Sequence, residues 1–209
     1  MRGVLNVIIF PLQEYSIGLI SLFLVLIKFM QDTSQQYDGA ISLCKDIFLK
    51  KMKDYGTAWR NLRPTSLTDQ IFIKAQRIKS IEEKGTQKIV DDIAGEYIGI
   101  VNYCIIALIQ LELTGDTRVD LPYDEVADLY SKYLTRTKKL MEDKNHDYGE
   151  AWRDMRISSL TDLILMKIFR VKQIEDNDGK TIISEGVDAN YMDMINYSVF
   201  ALIKLTHKG

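Results

Sequence analysis

Apolar residues recur at helical spacing along most of the chain, with polar residues between them. From about residue 35 to 53 the spacing is close to 3.6 residues, and it ends at Asp54-Tyr55-Gly56, where glycine suits a left-handed helix end. A second apolar stripe starts near residue 66 and a third runs from about 89 to 113. The third is apolar on nearly all sides, which favours a position at the centre of a bundle.

The same pattern occurs a second time. Asp-Tyr-Gly-Thr-Ala-Trp-Arg at residues 54–60 returns 93 positions later as Asp-Tyr-Gly-Glu-Ala-Trp-Arg, and 17 of the 29 positions from 54 to 82 are identical to their equivalents. This density of identity indicates a duplicated module. In the second copy we expect helices from about Tyr123 to His146 and from about Ile183 to Thr206. Counted from a Tyr-Asp pair to Asp-Tyr-Gly, the first helix of copy 2 is seven residues longer, about two turns.

The middle helix of each copy carries a capping signal. Ser-Leu-Thr-Asp occurs at residues 66–69 and 159–162. Serine at the N-cap with a carboxylate three residues later is an acidic form of the capping box. The motif therefore predicts that the middle helices begin just after Ser66 and Ser159.

These elements predict an all-α protein of tandem three-helix repeats packed as an antiparallel bundle. Repeat 1 spans residues 35–113, a linker spans 114–121 and repeat 2 spans 122–207. Residues 1–30 form an apolar N-terminal extension. Its longest apolar run, Ile17 to Phe29, is shorter than the roughly 20 residues of a membrane-spanning helix. Three interpretations stay open: an extension outside the folded unit, a membrane anchor, or a helix that packs on the repeats.

Charge and cysteine content narrow the class of protein. The formal net charge is −2, and the charges are spread along the chain, so a duplex nucleic-acid surface is not expected. Cys44 and Cys104 lie in apolar helical patterns, where a thiol behaves as a small buried hydrophobe. A reduced compartment follows, and we expect a cytoplasmic protein.

Two cations stand three residues apart on the middle helix of each copy: Lys74 and Arg77, then Lys167 and Arg170. Their surroundings are apolar, and a buried charge without a partner costs several kcal/mol. A carboxylate of the third helix, or the Asp of Asp-Tyr-Gly, would make a structural ion pair. A phosphate would suit an Arg fork beside a Lys equally well.

The third helix of copy 2 carries acids that could hold a metal. Glu185 and Asp188 face one way, and Asp193 lies further along. Carboxylates at such spacing suit Mg²⁺, which keeps its other positions for water and phosphate. Copy 1 has Gly99 where copy 2 has Asp193. The alternative is that these acids only favour the helix dipole and face water.

The Asp-Tyr-Gly segment could contribute to a binding site. Its tyrosine or tryptophan could stack on a nucleobase, while Asp147 beside Lys144 completes a metal or phosphate site. In the alternative interpretation the tryptophans seal the bundle and the glycine fixes the turn.

The pattern Lys-x-x-Asp-Tyr-Gly, then Lys-x-x-Arg, then an acidic helix ending in Asn-Tyr resembles the nucleotide modification associated domain 1 family, formerly domain of unknown function 1599. More distantly it is similar to MazG-like all-α nucleotide pyrophosphohydrolases. The matching residues of copy 2 are Lys144, Asp147, Tyr148, Gly149, Lys167, Arg170, Glu185, Asp193, Asn196 and Tyr197, and those of copy 1 are Lys51, Asp54, Tyr55, Gly56, Lys74, Arg77, Asn102 and Tyr103.

The resemblance implies an all-α bundle whose carboxylates bind Mg²⁺ and a nucleoside triphosphate. It also implies that the protein hydrolyses this nucleotide and releases pyrophosphate. Glu185, Asp188 and Asp193 would be the catalytic and metal-binding residues. The substrate-binding residues would be Lys144, Asp147, Tyr148, Lys167, Arg170 and Asn196, with Lys74 and Arg77 from copy 1. The rival hypothesis is a non-catalytic module that binds a nucleotide or a protein. MazG-like enzymes usually assemble as dimers, so a homo-oligomer is a further expectation.

Overall fold

In the computed structural model, which describes residues 33–86, 92–181, 183 and 185–206, each repeat supplies three α-helices and one short 3-10 turn. The helices are α1 (Thr33–Tyr55), α2 (Pro64–Lys84), α3 (Ile93–Glu112), α4 (Tyr123–Tyr148), α5 (Ile157–Asp176) and α6 (Val187–Thr206), and the 3-10 turns are Ala58–Asn61 and Ala151–Asp154. The all-α prediction is confirmed, whereas MazG-like packing stays a prediction. The N-terminal extension at residues 1–30 lies outside the described residues.

Glycine ends the first helix of each repeat, as the sequence predicts. Gly149 has a φ of 59° and its N–H donates to the carbonyl of Asn145 at 2.9 Å. Gly56 has a φ of 58° and donates to Met52 at the same distance. Left-handed backbone costs a residue with a Cβ free energy, so the glycines set where the chain turns towards each tryptophan.

The predicted capping boxes are wrong. α2 begins at Pro64 and α5 at Ile157, so Ser66 and Ser159 lie inside the first turns. The N-cap residues are arginines in extended conformation without a side-chain cap. Both helices start before the predicted serine, because the chain leaves each 3-10 turn through one extended stretch and enters the next helix directly. In α2, proline at the first helical position suits this start.

The Thr and Asp of each Ser-Leu-Thr-Asp motif contact the other repeat instead. The Thr68 hydroxyl donates to Glu175 at 2.7 Å and lies 2.8 Å from the Tyr191 hydroxyl. The equivalent set is Thr161, Glu82 at 3.1 Å and Tyr97 at 2.7 Å. Lys172 pairs with Asp69 at 2.6 Å, and Lys79 with Asp162 at 3.3 Å. These exchanged contacts relate the repeats by an approximate two-fold axis.

The central helices α3 and α6 pack on each other, and their apolar residues form one core shared by both repeats. By length and composition alone α3 would also pass as a membrane span, but most of its apolar side chains are buried in this core. Cys44 and Cys104 are both buried there as free thiols.

A pair of tyrosine–asparagine hydrogen bonds corrects the alignment of the first helices. The Tyr37 hydroxyl donates to Asn196 at 2.8 Å, and the Tyr130 hydroxyl donates to Asn102 at 2.6 Å. Since the two asparagines are equivalent, Tyr37 corresponds to Tyr130, again 93 positions away. The predicted seven-residue lengthening of copy 2 is wrong, because the Tyr-Asp pair at residue 123 is not the equivalent of the pair at residue 37.

Candidate functional site

A cavity of about 630 Å³ opens in repeat 1 where α1, α3, the middle of α2 and the first 3-10 turn meet. Its walls combine apolar side chains with aromatic rings and two lysines. The residues on which its chemistry depends are Lys51, Tyr55, Trp59, Lys74, Gly99 and Tyr103. Cavities of this size commonly hold small organic ligands and cofactors.

Gly99 has no side chain, so another group can approach the backbone of α3 closely at the cavity wall. A Cβ added at Gly99 would lie 2.6 Å from Cε of Lys74 and 3.0 Å from its Nζ. The Lys74 side chain therefore lies directly against the helix backbone. Its ammonium binds Oε2 of Glu96 at 3.1 Å, and Arg77 binds the other oxygen of Glu96.

Lys51 is the second cation of the cavity. It is exposed, and in the described part of the chain no carboxylate lies within ion-pair distance of it. The lysine at the equivalent position of repeat 2 is paired, so repeat 1 presents a cation that its own acids do not satisfy.

Trp59 is half-buried beside the cavity. Among the described residues it stacks on no other ring. The neighbouring Arg60 turns away towards the predicted linker, where its guanidinium donates to the carbonyls of Arg118 at 2.9 Å and Asp116 at 2.5 Å. The indole is thus left as part of the cavity wall.

The corresponding space in repeat 2 is closed by an ion-pair network. Asp193 stands where repeat 1 has Gly99, and its two oxygens bind Lys144 at 2.5 Å and Lys167 at 2.6 Å. Burial would lower the pKa of Lys144, but the hydrogen bond and charge of Asp193 raise it above its ordinary value. Only 5% of the Asp193 side chain is exposed, so this carboxylate is a buried, fully paired charge.

The tryptophan of repeat 2 packs against an aromatic ring and a guanidinium. Trp152 stacks on Phe200, with ring centroids 4.4 Å apart and planes within 4°, and the guanidinium of Arg153 lies 4.5 Å from the indole. Repeat 1 has Ile106 where repeat 2 has Phe200. The smaller side chain leaves the space that the phenylalanine ring fills.

The three acids predicted to bind Mg²⁺ do not form one cluster in the described part of the chain. Glu185 is exposed, and Asp188 pairs with Arg136 of α4 at 3.1 Å. Asp193 holds its two lysines. In the ranges that the structure describes, no group of three His, Cys, Asp or Glu side chains could hold a metal ion.

The other predicted residues lie in five different environments. Lys144 and Lys167 converge on Asp193, and Lys74 and Arg77 converge on Glu96. Asp147 and Tyr148 are exposed at the end of α4, while Arg170 lies half-buried on α5. Asn196 is in the core, where it accepts from Tyr37 and donates to the carbonyl of Thr137 at 3.4 Å.

The sequence favoured repeat 2 because it keeps the acids, whereas the cavity lies in repeat 1. Two sequence differences between the copies indicate the position of the cavity: Gly99 in place of Asp193, and Ile106 in place of Phe200. Both replace a large side chain by a smaller one on the same face of the third helix, which indicates space.

A family model described as nucleotide modification associated domain 1 matches residues 51–111 and 144–205, one match in each repeat. Together the matches cover more than half of the chain. The same comparisons found no curated protein and no solved structure that matches the chain.

Proposed function

Because the chain belongs to the nucleotide modification associated domain 1 family, in two tandem copies, we propose that it binds a nucleotide in the cavity of repeat 1. The observation that carries this proposal is the open cavity beside Trp59, set against its filled counterpart beside Trp152.

The walls of the cavity suit a nucleobase. Trp59 and Tyr103 present aromatic surface, and Phe48, Ile98 and Ile106 add apolar surface. Stacking of a base on an aromatic side chain is worth about 1–3 kcal/mol. The indole of Trp59 can accept such a partner because none of the described rings stacks on it.

The lysines suit the other half of a nucleotide. Lys51 and Lys74 line the same cavity, and each ammonium has three donors. Among the described residues the acidic partner of Lys74 is Glu96, which takes one donor, so the other donors can bind phosphate oxygens. Charge-assisted bonds of this kind are stronger than neutral ones.

Calorimetric titration of the full chain with each canonical ribo- and deoxyribonucleoside mono- and triphosphate tests the proposal. We expect at least one of them to bind with one equivalent per chain. Ile106→Phe should reduce that affinity at least tenfold, because it fills the cavity as Phe200 does in repeat 2. Ile195→Leu, a buried apolar change on the other central helix, is the control. Absence of binding by every nucleotide would remove the proposal.

The Mg²⁺-dependent pyrophosphohydrolase activity that the resemblance implies stays a prediction. The described carboxylates do not fit a magnesium ion as they stand, since both oxygens of Asp193 bind ammonium groups and Asp188 binds Arg136. The assay is pyrophosphate release from each nucleoside triphosphate in the presence of Mg²⁺. Release that Glu185→Gln abolishes would establish the enzyme, whereas binding without release would assign a non-catalytic nucleotide-binding module.

A further inference from the structure

We propose that Asp193 is a built-in substitute for the ligand's anionic group, and that repeat 1 binds a single phosphate in the cavity beside Gly99, between Lys51 and the ammonium of Lys74. The identity of that ligand as a nucleotide rests on the proposed function. The anion subsite itself rests on the comparison of the two repeats. Repeat 2 shows what an anion at this point of the fold contacts.

The lysines of the two repeats are equivalent in sequence position, and those of repeat 2 show which partner they bind. Lys51 corresponds to Lys144 and Lys74 to Lys167 along the 93-residue spacing. In repeat 2 these two lysines reach one carboxylate from opposite oxygens. The same two helix positions in repeat 1 line one cavity, beside Gly99.

Repeat 1 has no carboxylate at the position equivalent to Asp193. The α3 carboxylate near Gly99 is Glu96, one helical turn earlier, and it pairs with Lys74 and Arg77. Lys51 is left at the cavity without an acidic partner among the described residues. A bound anion would restore for Lys51 the contact that Lys144 makes with Asp193.

The size of the subsite points to one phosphate group attached directly to a nucleoside. Asp193 shows that one small oxyanion reaches both lysines. Lys51 and Lys74 are the cations among the residues that line the cavity, so a second or third phosphate has no further cation there. We expect a nucleoside monophosphate to bind as tightly as the corresponding triphosphate, with one equivalent per chain.

The test substitutes the repeat 2 residue into repeat 1. Gly99→Asp should lower the affinity for the nucleoside monophosphate at least a hundredfold, because its carboxylate occupies the subsite and pairs with the lysines. Gly99→Asn has nearly the same shape without the charge and should lower it about tenfold. The Lys74 side chain must shift in both, as its equivalent does beside Asp193. The unmodified nucleoside should bind the original chain at least tenfold more weakly than its monophosphate.

The reciprocal substitution is Asp193→Gly, titrated with inorganic phosphate. The original chain should bind one equivalent of phosphate, and the variant should bind two, because Lys144 and Lys167 are released. Should that variant not fold, the Gly99 pair decides the matter alone. Unchanged monophosphate affinity in Gly99→Asp, or equal affinity for nucleoside and monophosphate, would overturn the subsite.

Failure of the subsite and failure of the proposed function are distinguishable. In one outcome Gly99→Asp abolishes the binding of inorganic phosphate, and no nucleoside monophosphate binds more tightly than phosphate alone. This outcome supports the anion subsite and contradicts nucleotide binding. Nucleotide binding that Gly99→Asp leaves intact keeps the proposed function and rejects the subsite.

Discussion

The two repeats share their helices and their contacts across the approximate two-fold axis, yet one encloses a cavity and the other a packed ion-pair network. The difference follows from two positions of the third helix that lie one helical turn apart. Repeat 1 has Glu96 and Gly99, and repeat 2 has Asn190 and Asp193 at the same two positions. A shift of one carboxylate by one helical turn, together with isoleucine in place of Phe200, separates an open site from a closed one.

The comparison teaches that duplication can divide two tasks between copies. Repeat 2 buries its tryptophan and satisfies its lysines, which stabilises the bundle. Repeat 1 leaves the equivalent groups facing a cavity. Because both copies contribute to one core, the closed repeat can support the open one.

The largest effect that would test this division concerns the two tryptophans. Trp152→Ala removes a buried ring that stacks on Phe200, and we expect it to lower the free energy of unfolding by about 4 kcal/mol. Trp59→Ala removes a half-buried ring beside a cavity and should cost about 1 kcal/mol while reducing nucleotide affinity at least tenfold. Urea denaturation measures the first quantity and calorimetry the second. Equal costs in stability would contradict the comparison.

The fold was largely predictable because its signals are local. Apolar spacing located the six helices, and the glycines after Asp-Tyr located two helix ends. The capping boxes failed because Thr68 and Asp69 bind residues of the other repeat, more than 100 positions away. Such partners are set by packing and leave no local pattern.

The candidate site was harder for the same reason. Asp193 suggests a metal ligand when only its helix is considered, but Lys144 and Lys167 come to it from two other helices and satisfy it. Of the two partners considered for the Lys-x-x-Arg cations, the third-helix carboxylate is the one the structure shows for Lys74, Arg77 and Lys167. The glycine opposite Asp193 marks the cavity, which becomes visible only once α1 and α2 are placed around it.

A second test breaks the closed site. Asp193→Ala leaves the buried Lys167 without its partner, and we expect a loss of about 3 kcal/mol in the free energy of unfolding. The value lies at the low end for a broken buried pair, since Lys144 is 41% exposed and can turn to water. Asp147→Ala changes an exposed aspartate of the same repeat and should have an effect within about 0.5 kcal/mol. Urea denaturation measures both variants. Similar denaturation midpoints for the two would show that the ion-pair network does not stabilise repeat 2.

The smallest expected effect concerns what the repeats have in common. Burial raises the pKa of Glu82 and of Glu175, and the hydrogen bonds from Thr161 and Thr68 offset this only in part. A raised pKa means that the folded chain holds the proton more tightly than the unfolded chain. The stability that each glutamate contributes is therefore complete below its ordinary pKa of 4.5 and is lost as pH rises through the raised value.

Replacing either glutamate by glutamine removes this dependence and keeps an oxygen for the threonine. We expect the free energy of unfolding of Glu82→Gln and of Glu175→Gln, relative to the original chain, to rise between pH 4.5 and 7. Glu83→Gln, an exposed neighbour, should show no such trend. The two glutamates occupy equivalent places, so the two slopes should agree. Unequal slopes would mean that the asymmetry of the repeats extends from the cavity into the interface itself, and that the closed copy is not a faithful reference for the open one.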